Sequence, residues 1–229
     1  MQFNTPEEKM EHDVFTVSLE KNPIITIKVE KGHFATVSSH TNCYLDVNEL
    51  KTNAMVARDV AHELAVPYYS SNMVDSIVCI EHTEVIGAYL AEEMNQEGMA
   101  IGNSGDVIHV LMPLKNINGQ WFFQDNMTGY LKNKNIVLLV PTISSGRTVK
   151  SVIDCVEYYG GNVVGVSVLF LVAQESLGEE LDEMVYPLFT TEDIPELRTY
   201  SVEQCEMCKA GIELDALINS EGYNRVIPM

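Results

Sequence analysis

The stretch Ile136–Thr148 reads IVLLVPTISSGRT. Ile136 to Val140 is a short, wholly apolar run, as expected of a strand buried on both faces. Pro141 to Arg147 supplies turn residues. From Thr148 to Tyr159, Val149, Val152, Ile153 and Val156 recur at helical spacing, which predicts an amphipathic helix. Gly160 and Gly161 end that helix. Val163 to Val172 is again apolar and rich in β-branched residues, so a second strand follows. A strand, a helix and a second strand in this order form a unit whose parallel crossover is right-handed. The expected fold class is therefore α/β, with a mostly parallel central sheet flanked by helices.

The same alternation extends outward. Leu50, Ala54, Ala57, Val60, Ala61 and Leu64 predict one helix over 49–66, closed by Pro67. Ser76 to Ile80 reads as another buried strand, followed by a helix from about Glu84 to Met94. A further strand is expected over Val107 to Met112. Asn116 to Met127, around Trp121, Phe122 and Phe123, reads as a hairpin or a mobile flap. Residues 1–46 carry shorter alternating segments (Ile24, Ile25, Ile27, Val29; Phe34, Ala35, Val37) and read as a small β-containing hood. The tail from Met184 mixes strands and loops. The expectation is one domain over 1–229, made of a core, the hood and the tail.

At 229 residues, 46% hydrophobic and 21% charged, the chain can bury a sizeable core without disulfide or metal staples. Thirty-three Asp and Glu against 14 Lys and Arg give a formal net charge of −19. Such a surface repels phosphate backbones and anionic headgroups, which argues against nucleic acid or a membrane as partner. No run of 18 apolar residues occurs and the amino terminus is polar and acidic, so a cytoplasmic protein is expected. Five scattered cysteines suit reduced thiols better than a disulfide framework, with Cys43, Cys79 and Cys155 as packing residues. Cys205 and Cys208 form one CxxC. A tetrahedral metal site needs two more ligands, and the sequence places no histidine or second pair nearby, so a zinc site within one chain is not expected and these two are read as reduced thiols in a turn before Gly211, with an intersubunit site or a redox pair as the alternatives.

In an open parallel sheet, ligands bind beyond the carboxyl ends of the strands. Ser144, Ser145, Gly146, Arg147 and Thr148 lie between such an end and a helix start, where unpaired N–H groups and the helix dipole favour an anion. Hydroxyls and a guanidinium add donors, and Gly146 permits close approach of a phosphate. The alternative is a helix cap made by Ser144 or Ser145.

With these segments in place, IVLLVPTISSGRT resembles the signature strand and loop of type I phosphoribosyltransferases. DSIVCIEHTEVIGAYLAEEM (Asp75 to Met94) is similar to that family's strand, pyrophosphate loop and helix. GHFATVSSHTNCYLDV (Gly32 to Val47) resembles the hood of orotate phosphoribosyltransferases, and CEMCKAGIEL (Cys205 to Leu214) a tail motif of some orotate-type members. The resemblance implies the type I phosphoribosyltransferase fold, a homodimer, and displacement of pyrophosphate from phosphoribosyl pyrophosphate (PRPP) by a nitrogenous base, with Mg²⁺ neutralising the leaving group. It places the 5′-phosphate on Ser144 to Thr148.

Departures from the family pattern are specific. The two adjacent acids that hold the ribose hydroxyls fall at Val140 and Pro141, or at Pro141 and Thr142 in the neighbouring register, and none of these is a carboxylate. The pyrophosphate loop reads Glu81, His82, Thr83, then Glu84, where small residues are usual. Lys115 is the one clear basic candidate for catalysis in the segment matching the mobile loop. After the last core strand the chain reads Val172, Ala173, Gln174, Glu175, without the arginine of orotate enzymes. Two functions follow: a phosphoribosyltransferase related to the orotate type, or a noncatalytic relative that binds a nucleotide or other phosphorylated metabolite as a sensor or interaction module.

Overall fold

The computed structural model describes residues 13–70, 73–96, 107–172, 176–219 and 222–226. In chain order its elements begin with β1 (Val14–Ser18), β2 (Thr26–Ala35), β3 (Ser39–Asp46), α1 (Asn48–Thr52) and α2 (Ala54–Ala65). Next come β4 (Ser76–Cys79), α3 (Glu84–Asn95), β5 (His109–Leu111), β6 (Leu114–Lys115) and β7 (Trp121–Phe122). The remainder is β8 (Asn135–Ile143), α4 (Arg147–Tyr158), β9 (Asn162–Leu171), α5 (Glu179–Met184), β10 (Val185–Thr190), β11 (Thr199–Ser201), α6 (Glu206–Lys209), β12 (Ala216–Asn219) and β13 (Gly222–Arg225).

The chain divides into two units. The larger, formed by Ser18–Ile25 and Val47–Pro195, holds a five-stranded sheet in the order β10, β9, β8, β4, β5, with every neighbouring pair parallel. β8 is central, and its alternate residues serve two faces. Ile136, Leu138 and Val140 pack with Val149, Val152 and Val156 of α4, while Val137 and Leu139 point the other way and are just as fully buried. This is the α/β arrangement expected from the apolar runs.

The helix expected over 49–66 is two helices. Asn53 breaks the run in an extended conformation, and its side chain accepts hydrogen bonds from the N–H groups of Met55 and Val56, so it caps α2. Leu50, Ala57, Val60, Ala61 and Leu64 are buried, as their spacing implied, whereas Ala54 is exposed in the first turn of α2. An antiparallel hairpin starts just before the segment 116–127 and ends within it, with Leu114 paired to Phe122 and Lys115 to Trp121.

The smaller unit gathers the described residues up to Val17, Thr26–Asp46, and those from Glu196 onward. Its sheet runs β11, β3, β2, β12, β13, with β1 also paired to β2. β2 and β3 are antiparallel, with a register shift between Lys31 and Phe34, and β12 joins β2 in parallel. The tail thus adds β11, β12 and β13 to the sheet begun by the hood strands.

Candidate phosphate-binding site

The turn expected at Pro141 begins later than the sequence suggested. β8 continues to Ile143, because Thr142 and Ile143 pair with Phe170 and Leu171 of β9. Pro141 is tolerated for a geometric reason. The Leu139 carbonyl, on the side facing β4, accepts from the Ile80 N–H at 3.1 Å. Two residues on, Pro141 directs its nitrogen to the same side, beyond the last strand residue of β4, where no ladder bond is lost. Val140 and Pro141 are buried; Thr142 is exposed.

α4 starts immediately after the loop, and its N-cap is Gly146 at φ +70°. Neither Ser144 nor Ser145 is the N-cap. Gly146 has no side chain to offer the first-turn N–H groups, so the N-terminal positive end of α4 is not neutralised by its cap residue. Ser144, Ser145, Arg147 and Thr148 are exposed around it, and Arg147 Nε donates to Ser145 Oγ at 3.2 Å. Gly146 itself is buried against α5 and the residues leading into it: a Cβ there would lie 3.1 Å from Leu177 Cδ2. Asp182 holds that neighbouring turn, accepting from the Leu177 N–H and the Ser176 hydroxyl, and these bonds keep its carboxyl below the ordinary range. This corner of the sheet therefore presents backbone donors, three hydroxyls and a guanidinium.

The loop matching the pyrophosphate loop leaves β4 beside this corner. Glu81 and His82 have φ of +52° and +66°, two successive left-handed residues without a glycine. Thr83 secures the bend: it is fully buried, and its Oγ1 lies 3.0 Å from the carbonyls of both Ile80 and Leu139. Loop and β8 are thereby joined at one hydroxyl. Lys51 of α1 is also buried, at 6% exposure, and its Nζ donates to the Glu81 carbonyl at 3.3 Å. Lys51 is not identifiable from the sequence, because a continuous helix over 49–66 assigns it no role at this loop.

Lys115 lies on β6, with Nζ 4.1 Å over the Trp121 ring, a cation–π contact. Trp121 packs against the core cluster, Phe123 is buried, and the Tyr159 hydroxyl donates to the Phe123 carbonyl at 3.1 Å. The aromatic run ties the hairpin region down. Ala173, Gln174 and Glu175 lie outside the described residues.

One expectation is corrected outright. Cys205 and Cys208 do have two histidines beside them: with His33 and His40 they place four ligand atoms within 4.8 Å of one another. Cys43, Cys79 and Cys155 are buried free thiols, as their apolar settings suggested.

The parallel sheet, the glycine-led loop at the carboxyl end of β8 and the helix behind it define an α/β protein with the type I phosphoribosyltransferase fold. No family model matches the chain. It is similar to the orotate phosphoribosyltransferase of Thermoanaerobacter sp. (strain X514), at 22% identity over 212 residues, covering 86% of this chain and 96% of that protein. Among solved structures it is similar to UMP synthase of Leishmania donovani, with a TM-score of 0.53 and 19% identity over 73% of this chain. The match spans 34% of that longer chain. Among the described residues, no helix is long and apolar enough to cross a membrane.

Proposed function

We propose that the corner formed by Ser144, Ser145, Gly146, Arg147 and Thr148 binds the 5′-phosphate of a ribose ligand, and that the protein transfers a phosphoribosyl group from PRPP to a base, as a relative of orotate phosphoribosyltransferase. The observation that carries this reading is the start of α4: a left-handed glycine at the N-cap, with exposed hydroxyls and Arg147 around backbone donors. The reading extends to a cytoplasmic homodimer. Lys115 is the basic candidate to close over pyrophosphate, which requires it to leave the Trp121 ring.

A specific observation favours a second reading. Val140, Pro141 and Thr142 offer no carboxylate to ribose hydroxyls or to Mg²⁺ at the end of β8, and Glu81 adds negative charge at the loop opposite. The donor set therefore does not fit a metal held there, and no step is routed through one. On this reading the protein is a noncatalytic relative that binds a nucleotide or other phosphorylated metabolite.

Two measurements separate the readings. Incubation with PRPP, Mg²⁺ and a panel of bases tests for pyrophosphate release, and release establishes transfer. Without release, thermal shift with nucleoside monophosphates reports binding by mass action. Arg147→Ala is expected to weaken that binding about tenfold or more, the loss of one charge-assisted hydrogen bond. An unchanged affinity rejects the site.

A further inference from the structure

The smaller unit brings together four side chains that the sequence scatters. Ala35 of β2 pairs with His40 of β3, and residues 33 and 35 share a face of the strand, so His33 and His40 are diagonal neighbours on one side of the sheet. α6 is a single turn opened by Cys205 and carrying Cys208, and Gly211 at φ +74° turns the chain away after it. His33 Nε2 lies 3.0 Å from His40 Nδ1, 3.4 Å from Cys205 Sγ and 3.6 Å from Cys208 Sγ; Cys208 Sγ lies 3.3 Å from His40 Nδ1.

We propose that His33, His40, Cys205 and Cys208 form a tetrahedral Zn²⁺ site that ties the carboxyl-terminal tail to the β2–β3 hairpin. Three arguments carry it. First, the spacing is that of ligands around a shared centre. With Zn–N of about 2.0–2.1 Å and Zn–S of about 2.3 Å, the edges of a tetrahedron are about 3.3–3.8 Å; three of these four separations lie in that range, the 3.0 Å between the histidine nitrogens is slightly shorter, and all four ligand atoms lie within 4.8 Å of one another.

Second, direct hydrogen bonding cannot account for the arrangement. His33 Nδ1 is 2.9 Å from the Ile212 carbonyl, which only accepts, so Nδ1 carries the proton and Nε2 presents a lone pair to the cluster. One lone pair cannot serve three neighbours separately. It can serve one cation, and a histidine whose other nitrogen donates to a carbonyl is the usual form of a metal ligand. The backbone reinforces this aim: the His33 N–H donates to Asp215 Oδ2 at 2.7 Å, and the Asp215 N–H donates to the His33 carbonyl at 2.8 Å.

Third, His33, His40 and Cys205 are buried and Cys208 is exposed, a sheltered cluster open at one edge. Two thiolates and two imidazoles in tetrahedral array select Zn²⁺ over Mg²⁺ or Ca²⁺, which need oxygen ligands. All four positions are filled by protein, so the site is structural. A small unit gains most from such a staple.

The test is metal analysis of the purified 229-residue chain, followed by replacement with Co²⁺. One Zn²⁺ per chain is expected, and the Co²⁺ form is expected to show the intense visible bands of a tetrahedral centre with ultraviolet thiolate-to-metal charge transfer. Cys208→Ser changes an exposed residue and is expected to lose at least tenfold in Zn²⁺ affinity while remaining folded; Cys155→Ser is expected to retain full stoichiometry. Well under one Zn²⁺ per chain after reconstitution, or weak octahedral-type Co²⁺ spectra, overturns the proposal, and both are read on the unmodified protein. Retention of the thiolate charge-transfer band in a Cys205→Ser, Cys208→Ser double variant also overturns it.

Discussion

Gly146 and Gly119 form a matched pair that isolates what the phosphate corner asks of its glycine. Both have left-handed backbones, at φ +70° and +78°. A Cβ on Gly119 meets nothing within 4 Å, whereas a Cβ on Gly146 comes within 3.1 Å of Leu177 Cδ2 and 3.6 Å of Leu181 Cδ2. Gly119→Ala therefore reports the backbone cost alone, about 1 kcal/mol for an L-residue in this region. Gly146→Ala adds crowding against a side-chain terminus that can yield by a few tenths of an ångström, so the low end of the overpacking range applies and the total is about 2 kcal/mol. At this chain length each kcal/mol lowers Tm by roughly 2–4 °C. Urea denaturation followed by circular dichroism measures both variants, and Gly146→Ala is expected to fall below Gly119→Ala by about 1 kcal/mol. If the two variants are equally stable, or Gly146→Ala is the milder, then Leu177 does not press on the loop and the packed left-handed cap is not what sets the start of α4.

Lys51→Met keeps the length and apolar stem of the side chain but removes its charge-assisted bond to the Glu81 carbonyl, so a loss of about 1.5–3 kcal/mol is expected in chemical denaturation; unchanged stability would mean that Lys51 does not support the loop. Burial pushes the Cys79 thiol up to about 12, against a smaller opposing pull from its hydrogen bond with Thr83. A thiol raised in the folded state ionises first in the unfolded chain, so its contribution is complete below about pH 9 and is lost as pH rises toward 12, to a total of about 4 kcal/mol. Cys79→Ala is expected to flatten the fall in stability across that window relative to the parent, and parallel curves for the two proteins would refute the assignment.

The central unit was legible because its information is local. Buried strands and the α4 helix are written in runs and periods shorter than a dozen residues, and α4, β9 and the start of β8 lie close to where Ile136–Val172 placed them. Errors arose where a neighbour decides the outcome. Pro141 reads as a turn residue in isolation, yet it extends a strand because β4 has already ended on the side its nitrogen faces. Asn53 reads as one polar residue in a helix, yet its cap geometry makes two helices. The histidine–cysteine cluster was illegible for the same reason at larger scale. His33 and Cys205 are 172 residues apart, and their meeting depends on the β2–β3 register and on β12 joining β2, neither of which a local pattern encodes.

The end of β8 separates two requirements that phosphoribosyl transfer normally combines. Val140 and Pro141 are buried and Thr142 alone of the three is exposed, so this position presents a hydroxyl where the resemblance led one to expect adjacent acids. A hydroxyl donates as well as accepts, and replacing carboxylates beside a phosphate corner removes repulsion from the ligand's own charge. In a chain of net charge −19, that local relief would favour anion capture at the proposed site of the α4 amides, Ser144, Ser145, Thr148 and Arg147. The same replacement withdraws the negative groups that would stabilise a cationic ribose in the transition state. On the proposed reading, the residues at 140–142 are expected to leave phosphate binding intact and weaken turnover, which makes measured affinity and measured pyrophosphate release independent readouts of the site.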